Sequence, residues 1–356
     1  MDKSFITDRR ILYIKMFEKL RAFADIGRTQ GITTTASVAI VGALTSTQQV
    51  QWYHIIYFTL LACFAHTALN TYIALGDIKL DSKTYVPSRN PVAAGLLSKK
   101  EAMNFFYIGT LLSAVLIVIP FLYSQSLIFS LSILCFIPAY SWLVWYGWLG
   151  KKYLLSYDFS FSISYGFFVL FGVFATGGTP TVYTWLFIAV VVFAATAFAQ
   201  WENGLKDANA DRSAGVRSFA VITNVMNNKK LYATHPYFLY GVVLKSGFIL
   251  FCLLAYLQYT NRFYLLFILM YGIPSQAFIM YRFLKKDKSM DHRKTILLDV
   301  TLTGILGYSV ILGRFDSMGP LIVLLLIIYL IIGYFVGSYV QSQCEFKFSR
   351  FSKTIS

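Results

Sequence analysis

Charge is scarce in this chain. Of its 356 residues only 13% are Asp, Glu, Lys or Arg, while 57% are hydrophobic and 18% aromatic. A soluble globular domain carries about a quarter charged residues, so a water-soluble globule is excluded. Cysteine is nearly absent. Cys63, Cys135, Cys252 and Cys344 are scattered and mostly inside apolar runs, which fits neither a zinc site nor a disulfide framework. The four histidines are equally dispersed. No cleavable signal peptide is expected. The first 30 residues are mixed and basic, without a short apolar core and a small-residue cleavage site.

Long apolar runs fill the space that charge leaves, and the mean hydropathy is +0.61. Runs of about 20 apolar residues are long enough to cross a bilayer as helices. Ten spans are expected: Thr29 to Leu44, Trp52 to Ile73, Ala102 to Tyr123, Leu127 to Tyr146, Leu155 to Thr176, Val182 to Trp201, Pro236 to Leu257, Phe263 to Leu284, Ile296 to Leu312 and Leu321 to Val340. The fold class is an all-α polytopic membrane protein, a bundle of about nine to ten transmembrane helices. Residues 1–28 read as a basic N-terminal segment and 29–312 as the helical bundle. Residues 313–356 read as an additional span with a basic cytoplasmic tail, an orientation signal that can also touch anionic membrane lipids.

Net charge is +15, from 31 Lys and Arg against 16 Asp and Glu. In a soluble protein that would suggest nucleic acid. Here basic residues gather in alternate loops, as they do on the cytoplasmic side of membrane proteins, and no nucleic-acid partner is expected. Lys79, Lys83, Arg89, Lys99 and Lys100 follow the second span, and Lys151 and Lys152 the fourth. Lys206, Arg212, Arg217, Lys229 and Lys230 follow the sixth. Lys285, Lys286, Lys288, Arg293 and Lys294 follow the eighth. The opposite loops carry only Arg262, and Arg314 beside Asp316. This alternation puts both termini on the cytoplasmic side, in the cell membrane if the source is prokaryotic.

Among so few acids, two pairs match. Asp77 and Asp81 lie in GDIKLD, and Asp207 and Asp211 in NGLKDANADRS. Each pair is spaced i, i+4, which places both carboxylates on one helix face. The pairs follow spans two and six, so the topology puts both on the cytoplasmic side, where they can converge. The same placement within spans one to four and five to eight suggests duplication of a four-helix unit.

Like charges one turn apart repel unless a cation lies between them. Asn203, Asp207 and Asp211, spaced four and four, form a stripe of oxygen ligands if the sixth helix continues through them. Carboxylate and amide oxygens suit Mg²⁺, which takes one or two protein carboxylates and completes its shell with phosphates and water. Arg212 and Arg217 can hold phosphate oxygens, and Gly215 allows a turn or a close backbone approach. The first motif has Asn70 two turns before Asp77, His66 one turn deeper, and Lys83, Arg89 and Asn90 downstream. A prenyl diphosphate combines a head that needs Mg²⁺ with a chain that needs an apolar groove.

The chain resembles the UbiA superfamily of intramembrane prenyltransferases. That family carries an N-D-x-x-D-x-x-x-D type motif after its second helix and D-x-x-x-D after its sixth. The resemblance rests on DIKLD followed by PSRNPVAAGLLS, and on KDANADRSAGVRS, and it spans roughly Arg28 to Leu312. It implies a helical bundle of about nine spans and Mg²⁺-assisted ionisation of a prenyl diphosphate donor. A lipophilic acceptor then captures the prenyl group. By resemblance, Asp77, Asp81, Asp207 and Asp211 are the catalytic metal ligands, with Asn203 assisting. Arg28, Arg89, Lys152 and Arg217 are diphosphate or positioning residues. The chain departs from the pattern at Ile73, where the family asparagine usually stands and for which Asn70 is the substitute. It departs again at Tyr157-Asp158, and in its additional tenth span.

Other readings compete. The acidic pairs could be solvated loop charges, or ion and proton ligands of a transporter. Transporter sites favour the bilayer midplane, whereas these lie at helix ends beside arginines. Cyclisation of the prenyl donor without an acceptor is the alternative enzymatic outcome. Asp299, five residues beyond Lys294, reads as an interfacial carboxylate or else as a functional membrane carboxylate; Asp158 reads as a partner of Lys151 or Lys152 or else as a group acting on the acceptor, and His66 as a satisfied bundle histidine.

Overall fold

The structure is a computed structural model that describes residues 18–81, 90–123, 126–148, 153–228, 230–232, 234–259, 262–284, 292–315 and 318–351. Each of the ten apolar runs lies on a helix. These are α1 (Ile32–Leu44), α2 (Trp52–Gly76) with its short extension α3 (Ile78–Asp81), α4 (Lys99–Tyr123), α5 (Leu127–Trp148) and α6 (Leu154–Ala175). Next come α7 (Val182–Thr196), which runs on into α8 (Asn203–Ser213), the single turn α9 (Phe219–Ile222) and a small hairpin of β1 (Met226–Asn228) and β2 (Lys230–Tyr232). The rest are α10 (His235–Tyr259), α11 (Arg262–Phe267) continuing into α12 (Ile273–Leu284), α13 (His292–Tyr308) and α14 (Gly319–Phe351).

Among the described residues, seven helical stretches are long and apolar enough to cross a membrane. Most of them are apolar on nearly all faces, as lipid-embedded helices are. Their outward side chains include Leu111 at 65%, Leu127 at 77% and Phe263 at 82% exposure. Such a surface is an aggregation hazard in water and a normal lipid face in a bilayer. The protein is an integral membrane protein.

α1 is short for a membrane span. Thr29–Gly31 forms a 3₁₀ turn rather than its first turn, and 13 helical residues remain. At 1.5 Å per residue that is about 20 Å, less than the roughly 30 Å hydrocarbon core. Among the described residues, two π-helical turns occur, Ala197–Glu202 between α7 and α8, and Ile268–Gly272 between α11 and α12. The last helix extends well past Val340, absorbing part of the basic tail.

The chain divides into two compact units. The first comprises Met1–Thr35, Thr59–Leu116 and Leu330–Ser356. Here α4 opens with a reciprocal capping box: the Ser98 backbone N–H donates to Glu101 Oε2 at 2.9 Å, and the Glu101 N–H donates to Ser98 Oγ at 3.2 Å. α4 crosses α2 closely, since a Cβ on Gly109 would stand 2.9 Å from the Ala68 Cβ. Ala22, Ile26, Ala74, Leu97 and Ala102 form a small core at the α2 terminus.

The second unit comprises Ala36–Phe58 and Ile117–Tyr329. Within it α1 and α6 meet backbone to backbone. A Cβ on Gly42 would lie 2.3 Å from the Val169 carbonyl oxygen, and one on Gly172 would lie 2.0 Å from that of Ala39. Membrane helices gain association energy from such close approach because lipid supplies little hydrophobic drive between them. Phe58, Phe136, Phe168 and Phe171 pack ring against ring beside this contact.

Candidate functional site

The first acidic pair sits where α2 gives way to α3. The Asp77 N–H donates to the Ile73 carbonyl at 3.1 Å, and the Asp81 N–H donates to that of Asp77 at 2.8 Å. Helical spacing therefore persists across the break, as the i, i+4 reading requires. Asn90 fixes Asp81. Its Nδ2 donates to Asp81 Oδ2 and to the Ala74 carbonyl, both at 2.8 Å. Its Oδ1 accepts the Val92 N–H at 3.1 Å, turning the chain after Pro91. One buried amide thus satisfies a helix-end carbonyl, orients a carboxylate and starts a turn. The acidic motif alone assigns Asn90 no role, but its Asn-Pro dipeptide is a turn signal that marks the position.

Asn70 lies deeper on α2 and donates its Nδ2 to the His66 carbonyl at 2.8 Å. That leaves Oδ1 as its atom suited to a cation. His66 is a satisfied bundle histidine. Its Nε2 lies 3.0 Å from the Arg28 carbonyl oxygen, which can only accept, so Nε2 carries the proton. Its Nδ1 then accepts from Thr35 Oγ1 at 2.8 Å. Arg28 is exposed and left-handed at φ 49°.

The second pair is built on the π turn. A π turn widens the helix and releases carbonyls from their usual partners. The Tyr237 hydroxyl lies 3.0 Å from the Gln200 carbonyl and 2.7 Å from that of Trp201. Trp201 Nε1 donates in return to the Tyr237 carbonyl at 3.1 Å. Gly204 makes room, since a Cβ there would stand 2.4 Å from the Tyr237 hydroxyl. Trp201, Leu205, Ala208, Ala220 and Tyr237 form the buried floor beneath α8.

α8 carries Asn203, Asp207 and Asp211 as one stripe, as expected if the sixth helix continued. Asn203 Nδ2 donates to the Phe198 carbonyl at 3.1 Å. Asp211 is buried, and Oδ2 accepts from Ser218 Oγ at 3.3 Å. The helix then ends in a Schellman motif. The Val216 N–H reaches back to the Asp211 carbonyl at 2.9 Å and the Gly215 N–H to that of Arg212 at 3.2 Å, with Gly215 at φ 72°. Gly215 thus turns the chain so that Ser218 returns to Asp211. Arg212 Nη2 donates to the Val225 carbonyl at 3.1 Å and pins the following segment. Arg217 is exposed two residues after Gly215. Lys83, Arg89 and Lys152 lie outside the described residues, as does the side chain of Asp158.

Three buried ionisable groups form a cluster that no sequence motif marks. Lys245 of α10 pairs with Glu202, at 3.2 Å, and with Asp299 of α13. Thr303 Oγ1 donates to Asp299 Oδ1 at 2.8 Å, and Gln276 Nε2 to Thr303 Oγ1 at 3.0 Å. Asp299 is only 2% exposed and is a buried carboxylate paired with Lys245. Lys245 stands alone in an otherwise uncharged 25-residue helix, and that isolation was the available signal.

The donor chemistry fits a hard divalent cation. Among the described residues no three His, Cys, Asp or Glu side chains are grouped to enclose a metal. Each pair offers two carboxylates, and the second adds Asn203 on the same helix face, a donor set that suits an ion keeping water and phosphate in its shell. A polytopic helical membrane protein with such pairs at the ends of its apolar helices has the architecture of an intramembrane transferase. The UbiA prenyltransferase family matches residues 33–302, and the chain belongs to that family. It is a prenyltransferase.

Solved structures agree in fold. A UbiA homologue from Aeropyrum pernix is 16% identical with a TM-score of 0.62, over 82% of this chain and 98% of that one. A UbiA homologue from Archaeoglobus fulgidus bound to GPP and Mg²⁺ is 14% identical with a TM-score of 0.61, over 83% and 99%. A digeranylgeranylglyceryl phosphate synthase is 18% identical with a TM-score of 0.57, over 89% and 99%. No curated protein sequence matches the chain.

Proposed function

We propose that the enzyme transfers a prenyl group from an isoprenoid diphosphate to a lipophilic acceptor within the membrane, with Mg²⁺ held by both acidic pairs. The observation that carries this reading is the backing of each pair, Asn90 on Asp81 and Ser218 on Asp211. Such hydrogen bonds hold carboxylates in place before substrate arrives. Binding of GPP and Mg²⁺ by the Archaeoglobus relative supports it.

Asp77, Asp81, Asp207 and Asp211, with Asn203 and Asn70, are the proposed Mg²⁺ ligands. When bound, Mg²⁺ neutralises negative charge on the diphosphate leaving group. Arg28 and Arg217, which are exposed, hold diphosphate oxygens. Lys83, Arg89 and Lys152 belong to the same proposed set, and Arg212 contributes beyond its bond to Val225. The reaction breaks the allylic C–O bond, and the electron pair leaves with diphosphate. The allylic cation takes an electron pair from a carbon or oxygen nucleophile of the acceptor, which then loses a proton. The apolar helices exclude water that would otherwise quench the cation. The basic loops that alternate along the chain support a cytoplasmic location for this chemistry and for both termini. Residues 29–312 form the catalytic bundle, and residues 313–356 are additional to it.

The test uses purified protein in detergent with Mg²⁺, labelled farnesyl or geranylgeranyl diphosphate and a panel of lipophilic acceptors. A labelled lipid product together with pyrophosphate, both abolished by EDTA, is expected. Pyrophosphate and a cyclic hydrocarbon without any acceptor would replace this reading with cyclisation. No pyrophosphate from folded protein with either donor would overturn it.

A further inference from the structure

α14 lies outside the residues matched by the family, 33–302. Its sequence GYFVG places Gly333 and Gly337 four apart, on one helix face. Within the first unit this face meets the segment that follows Arg28. A Cβ on Gly337 would stand 2.3 Å from the Gln30 Cα, 2.7 Å from the Gln30 nitrogen and 3.0 Å from the Thr29 carbonyl carbon. These are backbone atoms, so no rotamer change can make room. A Cβ on Gly333 would stand 2.0 Å from Thr33 Cγ2. The neighbours in the helix point elsewhere: Phe335 and Val336 are 67% and 59% exposed.

The segment so contacted is held from another direction as well. The Arg28 carbonyl accepts the Gly31 N–H at 2.9 Å and His66 Nε2 at 3.0 Å. A Cβ on Gly31 would stand 2.7 Å from the His66 ring. Arg28 itself keeps a left-handed backbone, which L residues avoid unless their surroundings enforce it.

We infer that Gly333 and Gly337 are positioning residues for Arg28: the additional helix braces the Thr29–Thr33 backbone and so holds the Arg28 side chain ready for the donor diphosphate. The inference rests on the proposed diphosphate role of Arg28. It makes the extra helix part of donor binding rather than a passive anchor.

The test is a double-mutant cycle in the full chain. Donor KM and kcat are measured, together with the Kd of a non-reactive thiodiphosphate analogue of the donor, for Arg28→Ala, Gly337→Ala and the double variant. Val336→Ala serves as the lipid-facing control. The expected result is a rise of about tenfold in KM and analogue Kd for each single variant. Any fall in kcat for Gly337→Ala is no larger than that for Arg28→Ala, the double variant is no worse than Arg28→Ala, and the Val336→Ala control is unchanged. If Arg28→Ala weakens binding and Gly337→Ala does not, the brace is overturned while the diphosphate reading stands. Full additivity would show that Gly337 acts elsewhere and would overturn it too. No effect of Arg28→Ala overturns both. Gly333→Ala, whose nearest neighbours are Thr33 side-chain atoms, carries the same expectation at smaller size if Gly337→Ala fails to fold.

Discussion

Lys245 lies between two carboxylates buried in the helical bundle, Glu202 on the π turn before α8 and Asp299 on α13. The three side chains are 5%, 0% and 2% exposed. Charges taken so far from water are retained only if paired, and leaving one unpaired is expensive. Because Glu202 adjoins Asn203, the pairing ties the root of the acidic helix to two neighbouring helices.

Lys245→Met should therefore destabilise the protein by about 3–5 kcal/mol, the range for orphaning a buried charge. Replacing all three groups with neutral counterparts, Glu202→Gln, Lys245→Met and Asp299→Asn, should recover most of that loss. Thermal unfolding in detergent reads both. A Lys245→Met variant as stable as the parent would show that the triad is not a tether.

Asn90→Ala removes the donor to Asp81 and leaves the Ala74 carbonyl without its side-chain partner. A hydrogen bond to a charged group contributes about 1.5–3 kcal/mol, and a loss of that size is expected. The Mg²⁺ concentration for half-maximal activity should also rise several-fold, because Asp81 is no longer oriented. Unchanged Mg²⁺ dependence would remove Asp81 from the proposed ligand set.

Gly215→Ala meets no steric neighbour, yet its φ of 72° opposes any β-carbon. The strain is expected to be about 1–2 kcal/mol. Gly215→Asn should be milder, since asparagine tolerates the left-handed region better. Thermal stability orders the three variants, and Gly215→Ala matching the parent would contradict the Schellman account.

EDTA should abolish turnover, and added Mg²⁺ should restore it, with the protein folded throughout as judged by circular dichroism. Turnover that survives chelation would exclude a metal role for the carboxylates.

The bundle was legible because long apolar runs admit few structures in a bilayer. Span ends were read to within a few residues for α5, α6 and α10, where polar residues flank the runs. The continuation of the sixth helix through Asn203, Asp207 and Asp211 was legible from the four-residue spacing. The π turn that precedes it was not, since Ala197–Glu202 contains neither Pro nor Gly. Its cause is tertiary: Tyr237, 36 residues later than Trp201, accommodates the displaced carbonyls. The Lys245–Asp299 pairing spans 54 residues and could not be assigned from either helix alone. The brace on Arg28 depends on α14 reaching back to a segment some 300 residues earlier, which spacing along one helix does not reveal.

The central claim, that both acidic pairs serve one Mg²⁺-dependent ionisation, is tested most directly by pyrophosphate release from labelled farnesyl or geranylgeranyl diphosphate in two single variants, Asp77→Asn and Asp207→Asn. Loss of one preorganised group acting on developing charge typically costs about 10²–10³ in rate. Each variant should lose at least about 100-fold in pyrophosphate release while remaining folded. Full activity in either variant would contradict the account.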